Sequence, residues 1–192
     1  MTGFHDFTLP IWKIFGGDLL LFVTIVFYIA WWTVTFHPHR IGKSAGAGFI
    51  VLALLAGAAA ILTLFSGIES LYRAGQGDLV PYILLGAIAF YIIFLAVTRF
   101  AFRRPVTAEL LLIIVWAALE ISAIAVLQDS DRFSLGQALT LGTLVVLATV
   151  VGMFCYTLHY HLAELPRFWN GLLPLIVDAG VVIVFLAVLA FS

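Results

Sequence analysis

Apolar residues are concentrated in six long stretches, and short segments between them hold most of the charged, proline and turn-forming residues. A helix of about 20 residues crosses the roughly 30 Å hydrocarbon core of a bilayer, and each stretch is about that long or longer. The pattern predicts an all-helical bundle of about six transmembrane helices with short loops. We expect one transmembrane domain, 1–192, with helices over 11–36, 45–68, 82–102, 107–127, 135–158 and 172–190.

Turn-forming and interfacial residues mark the predicted helix ends. The first helix should end at His37, because Pro38 disfavours helical conformation in the residue before it. Residues 69–81 contain charged residues, glycines and a proline, which is typical of a polar loop. Residues 169–171, Trp-Asn-Gly, are predicted to lie at the membrane interface before the last helix.

The composition supports a membrane protein. Hydrophobic residues make up 64% of the chain and charged residues 10%, whereas soluble domains have about 25% charged residues. A net charge of −1 provides no basic surface for nucleic acid. Cys155 is the only cysteine, which excludes an internal disulfide.

The basic residues predict the orientation, because short cytoplasmic loops are enriched in lysine and arginine. One predicted side of the membrane has six basic residues: Arg40, Lys43, Arg99, Arg103, Arg104 and Arg167. The other side has three: Lys13, Arg73 and Arg132. We therefore expect the first side to be cytoplasmic and both termini to lie outside, in the cell membrane of a bacterium or archaeon.

Small residues in the second stretch predict close helix packing. Ala53 and Gly57, and Ala56 and Ala60, are each four residues apart, a spacing that lets helix backbones approach one another in lipid. Such faces also favour association with further copies of the chain, so we expect a homo-oligomer. A Phe-Tyr-Ile then Val-Thr pattern recurs at equal spacing in the first and third stretches. It indicates either a weak repeat of two-helix units or chance similarity between apolar helices.

Glu120 is the residue that most needs an explanation, because it lies near the middle of the fourth stretch. A carboxylate at the bilayer centre costs roughly 3 kcal/mol, so this side chain should face a protein interior or a wet cavity. Glu109, Ile113, Trp116 and Glu120 share one face of the helix, and Trp116 covers the turn before Glu120. The pattern indicates a proton or cation site; the alternative is a neutral carboxyl bound to a neighbouring helix. Glu109 lies in the first turn and suits the interface and the helix dipole.

Two further acids lie within predicted spans. Asp178 is in the sixth span beyond Pro174, and with Glu120 it is a candidate station on a proton or cation path. Asp18 follows Gly16 and Gly17 in the first span, where we expect it to be close enough to the outer interface to be solvated.

Two His-x-His pairs end the first and fifth spans, which run in the same direction and so bring both pairs to one side of the membrane. Imidazole nitrogens suit zinc, copper, nickel or haem, and interfacial histidines can also act as a pH-sensitive gate. Residues two apart on a helix point about 200° away from each other, so one pair chelates only in an extended chain. The candidates for a gate or for metal or haem ligands are His37, His39, His159, His161 and Arg99.

The leading hypothesis is a transporter or channel for a small solute or ion, without a cofactor. Its proton or cation site would consist of Glu120, Asp178, Trp116 and Asp18. One alternative is a membrane-embedded haem or metal redox protein that uses the histidines. Another is a lipid-modifying enzyme with its site at the interface. Phosphate-binding glycine loops and HExxH motifs are absent from the sequence, and an enzyme is the less favoured class.

Overall fold

The computed structural model describes residues 8–36, 43–100 and 108–192. Six α-helices occupy these residues, with no strand among them, and each is long and apolar enough to cross a membrane. The protein is therefore an integral membrane protein built as a six-helix bundle, as the hydrophobic pattern predicts. The helices are α1 (Leu9–Phe36), α2 (Lys43–Arg73), α3 (Val80–Phe100), α4 (Ala108–Asp129), α5 (Leu135–Leu158) and α6 (Glu164–Phe191), with a single 3-10 turn (His159–His161) between α5 and α6.

Five of the helices form a ring, in the order α2, α1, α6, α5 and α4, with α4 returning to α2. The sixth, α3, packs mainly against the outside of α4. In the most apolar segment of α4, 56% of the residues are buried. The corresponding share for α3 is 6%, so most of its apolar side chains are available to lipid. Because α3 lies outside the ring while α1 and α5 are part of it, the three helix pairs do not occupy the equivalent positions that a two-helix repeat implies.

Glycine and alanine allow α1 and α2 to pack most closely. A side chain at Gly17 of α1 would place its Cβ 2.9 Å from the backbone nitrogen of Leu64. A side chain at Gly67 of α2 would place its Cβ 3.0 Å from the backbone oxygen of Pro10. The two backbones therefore approach one another as small-residue faces allow in lipid.

Two helices are longer than the sequence predicts. The predicted loop at 69–81 begins too early, because α2 continues to Arg73, whose guanidinium pairs with Glu69 at 2.6 Å. The chain turns only at Gly75 and Gly77, which adopt positive φ angles of 86° and 84°. The last helix likewise begins before the membrane span that is predicted from 172.

That last helix, α6, begins at Glu164 and includes residues 169–171, which the sequence assigned to the interface. Pro166 lies in its first turn, where the missing N–H is not needed by the helix. Pro174 lies inside the helix. The end of α3 predicted at 102 and the start of α4 predicted at 107 fall partly on 101–107, outside the described residues.

The turns between α2 and α3 and between α4 and α5 lie on the same side of the bundle, which we call the Phe133 face. The backbone N–H of Gly77 donates to Asp129 at 2.8 Å and so joins the two turns. Phe133 is 2% exposed and packs edge-on against Phe185. Ser134 caps α5 in a capping box with Gln137. The opposite side, where α5 ends, is called the His159 face.

Candidate functional site

Three acidic side chains from three different helices converge inside the bundle. Asp18 of α1 and Glu120 of α4 are both 0% exposed, and Asp178 of α6 is partly buried. Glu120 interacts electrostatically with both of the others. At about 1.5 Å per residue, Glu120 lies about 16 Å along α4 from Glu109, close to the middle of the span. The sequence identified all three acids, but their proximity depends on the arrangement of the ring.

The carboxyl groups of Asp18 and Glu120 are the closest pair in this carboxyl cluster. All four of their oxygens are buried, and none accepts a hydrogen bond from a described residue. Ionised carboxylates only accept hydrogen bonds, so a bond between the two groups requires a proton on one of them. Burial and like charge both oppose a doubly ionised pair, so at least one of the two carboxyl groups should hold a proton.

Asp18 differs from its predicted environment. We expected it to be solvated near the outer interface, but it is completely buried. The reason is its neighbour Gly17, which lets the α2 backbone at Leu64 pack directly over this turn of α1. The glycine beside Asp18 therefore allows a neighbouring helix to cover the acid, and does not expose it to solvent.

Trp116 lies one turn before Glu120, as the helical spacing predicts. Its indole interacts with Glu120, but Nε1 is buried and forms no hydrogen bond of standard geometry with a described residue. Oδ1 of Asp178 is likewise buried and without a described donor. Buried polar atoms without partners are uncommon in native proteins and often mark the place of a water, an ion or a ligand.

A half-enclosed cavity of about 240 Å³ extends from this cluster towards the His159 face. All five helices of the ring contribute to its wall, and no described residue of α3 does. Trp116 and Asp178 line the cavity. Asp18 and Glu120 do not line it, but along α1 and α4 they come just beyond the last lining residues at this end, Leu21 and Leu119. The carboxyl cluster is therefore at the inner end of the cavity.

The packing of α2 against α4 differs between the two ends of the cavity. Near the Phe133 face these helices join one core, in which Ile68 and Leu71 of α2 cluster with Leu127 of α4. Nearer the His159 face, Ile61 of α2 and Leu112 of α4 line the cavity and are 37% and 55% exposed. The two helices are therefore less tightly covered on the side of the His159 face than near the Phe133 face.

Polar groups surround the outer part of the cavity. Glu109 lines it at the start of α4 and interacts electrostatically with Tyr28 of α1, another lining residue. The Trp32 indole donates to the backbone oxygen of Phe168 at 3.1 Å and lies over Gly171, where a side chain would overlap the ring.

Asn170 also lines this part of the cavity, and its side-chain amide donates to the backbone oxygen of Cys155 at 2.7 Å. The sequence predicts interfacial positions for both Glu109 and Asn170. The helix face that Glu109 shares with Trp116 is the one sequence feature that points to its position in the cavity wall, and no such feature points to Asn170.

The histidines have different positions. His159 lines the cavity and packs against Trp32 with ring centroids 5.7 Å apart, whereas His161 is exposed. His37 and His39 lie outside the described residues. Arg99 is exposed on α3, away from the ring. Within the described parts of the chain, no group of three or more His, Cys, Asp and Glu side chains has the arrangement of a metal site.

Comparison with protein-family models, with curated proteins and with solved structures gives no match, so the assignment of a function depends on the site itself.

Proposed function

We propose that the protein is a transporter or channel for a small solute or ion, in which the carboxyl cluster binds and releases a proton. The observation that supports this proposal is the location of Asp18, Glu120 and Asp178 at the inner end of a cavity inside a membrane bundle. Ionisable groups at this depth are costly and usually mark ion or proton pathways.

The order of the groups supports proton transfer along the cavity. Asp178 lines the cavity and interacts electrostatically with Glu120, which contacts Asp18 in turn. A proton that enters from the His159 face would reach Asp178 first. From there it would pass, with water as a bridge, to the pair that shares a proton. A solute in the cavity changes the electrostatic environment of Asp178 and thereby couples its own binding to that proton.

Proton movement into reconstituted vesicles tests this proposal. Vesicles contain the pH-sensitive dye pyranine, and a valinomycin-mediated potassium potential drives protons inwards. We expect the protein to accelerate acidification above the rate of protein-free vesicles. The substitutions Glu120→Gln and Asp178→Asn should each reduce the rate to that background.

Glu164→Gln is the matched control, because Glu164 is an exposed acid in the first turn of α6 and does not line the cavity. This variant should acidify the vesicles as fast as the wild type. Equal rates in the wild type, Glu120→Gln and protein-free vesicles would contradict the proposal.

A further inference from the structure

The wall of the cavity combines aromatic rings with carboxyl groups. Aromatic residues come from three helices, with Trp116 and Tyr156 among them, and the acids are Glu109 and Asp178. Among the described residues that form this wall, none is lysine or arginine. Aromatic faces and carboxylates both attract cations, and a desolvated aromatic-cation contact can contribute about 2 kcal/mol. An anion would find no lysine or arginine among these lining residues, where His159 is the one side chain that can become positively charged.

The backbone of α6 adds a further acceptor. Pro174 has no N–H, so the backbone carbonyl of Asn170 lacks its regular helical donor four residues later. Both residues line the cavity. The side-chain amide of Asn170 donates one of its two N–H groups to Cys155, and its Oδ1 is a second acceptor at this position. The two acceptor oxygens suit a positively charged ligand.

The inner end of the cavity also lacks positive partners. Glu120 is 0% exposed, and both its oxygens are buried without a described hydrogen-bond donor. Asp178 lines the cavity, and its Oδ1 is also buried without a described hydrogen-bond donor. A cation held beside Asp178 would stabilise the ionised form of this cluster.

From these features we infer that the cavity binds a small organic cation of the substituted-ammonium class, with apolar substituents on its nitrogen. The ligand enters from the bilayer between Ile61 of α2 and Leu112 of α4. The cavity of about 240 Å³ is smaller than the roughly 300–1,000 Å³ of sites for drug-sized ligands, so the ligand is small. This inference rests on the proposed function, since the cation would exchange against the proton of the carboxyl cluster.

Binding of the cation should release a proton, because positive charge beside Asp178 favours ionised carboxyl groups. The α2 residues that line the cavity are not titratable. The titratable groups that face the cavity from the other ring helices and from the 3-10 turn are Tyr28, Glu109, Cys155, Tyr156, His159 and Asp178. Asp18 and Glu120 lie behind them, at the inner end.

Equilibrium binding of benzyltrimethylammonium to the full-length protein in detergent tests the inference. This probe has a permanent positive charge and one aromatic ring, and benzylsulfonate is a comparable anion. We expect saturable binding of the cation, at least tenfold weaker binding of the anion, and proton release into a weakly buffered solution. Asp178→Asn should weaken cation binding at least tenfold, and Trp116→Leu at least threefold.

Two variants keep the test decisive if Asp178→Asn fails to fold. Glu109→Gln changes an exposed lining acid and should still weaken cation binding, whereas Glu164→Gln should leave it unchanged. Absence of saturable cation binding, or equal binding of benzylsulfonate, would overturn the inference. If cation binding is absent but Glu120-dependent proton entry into vesicles is observed, only the ligand class is wrong. If both cation binding and Glu120-dependent proton entry are absent, the proposed function is rejected as well.

Discussion

Asp18 of α1 and Glu120 of α4 place their carboxyl groups against each other in the interior of the bundle, and no described residue donates a hydrogen bond to either group. In a solvated site two such groups would both ionise and separate. Here both side chains are fully buried, so a doubly ionised pair is unfavourable, and we propose that the two groups share a proton.

This sharing predicts strong energetic coupling between the two residues. In a double-mutant cycle with Asp18→Asn and Glu120→Gln, the coupling in the free energy of unfolding should exceed about 1 kcal/mol, since contacting residues couple by about 0.5–3 kcal/mol. Unfolding in mixed micelles, followed by tryptophan fluorescence, measures it. The control is the exposed Glu69–Arg73 pair, whose coupling should stay below about 0.5 kcal/mol. Additive effects of Asp18→Asn and Glu120→Gln would show that the two groups do not share a proton.

Gly171 is predicted to be indispensable for the packing of α1 on α6 beside the cavity. In Gly171→Ala the new methyl group would overlap the six-membered ring of Trp32 and disturb its hydrogen bond to Phe168. Overpacking of this kind costs about 1–3 kcal/mol, so the free energy of unfolding should fall by that amount. Gly180→Ala is the matched control on the same helix, because its methyl group meets nothing within 4 Å. It should be neutral or slightly stabilising, and equal effects of the two substitutions would refute the packing described.

Cys155 can report the charge preference of the cavity without any mutation, because it is the only cysteine, lines the wall and is only 4% exposed, so a reagent reaches its thiol by entering the cavity. Acidic clefts concentrate cations by tenfold or more. A trimethylammonium-ethyl methanethiosulfonate should therefore modify Cys155 at least ten times faster than the sulfonate analogue. Glu109→Gln should reduce this ratio, and mass spectrometry of the intact protein follows both reactions. Equal rates for the two reagents would contradict an acidic cavity.

The sequence predicted the helices well because span length and hydrophobicity are local properties. It also singles out Glu120, Asp178 and Asp18, since an acidic residue in an apolar helix needs a specific partner, and their role with Trp116 as a proton or cation site stays a prediction. It could not predict that α1, α4 and α6 are neighbours, because the apolar faces of these helices are alike and the ring order depends on long-range packing.

The same limitation explains the two side-chain environments that the sequence did not predict. Asn170 is polar and follows Trp169, which is typical of an interface, but α6 extends over this segment and brings Asn170 to Cys155. Asp18 was expected to be solvated, but Gly17 allows α2 to cover it. In both cases a neighbouring helix, not the local sequence, determined the environment of the side chain.

The most direct test of a proton shared between Asp18 and Glu120 is modification by dicyclohexylcarbodiimide, an apolar reagent that reacts with protonated carboxyl groups. Peptide mass spectrometry locates the adduct. We expect modification of Asp18 or Glu120 that decreases as the pH rises, and no adduct at the exposed acids Asp78 and Glu164. Prior modification should also abolish proton entry into vesicles. Failure of Asp18 and Glu120 to react at any pH, with adducts confined to exposed acids, would contradict this account.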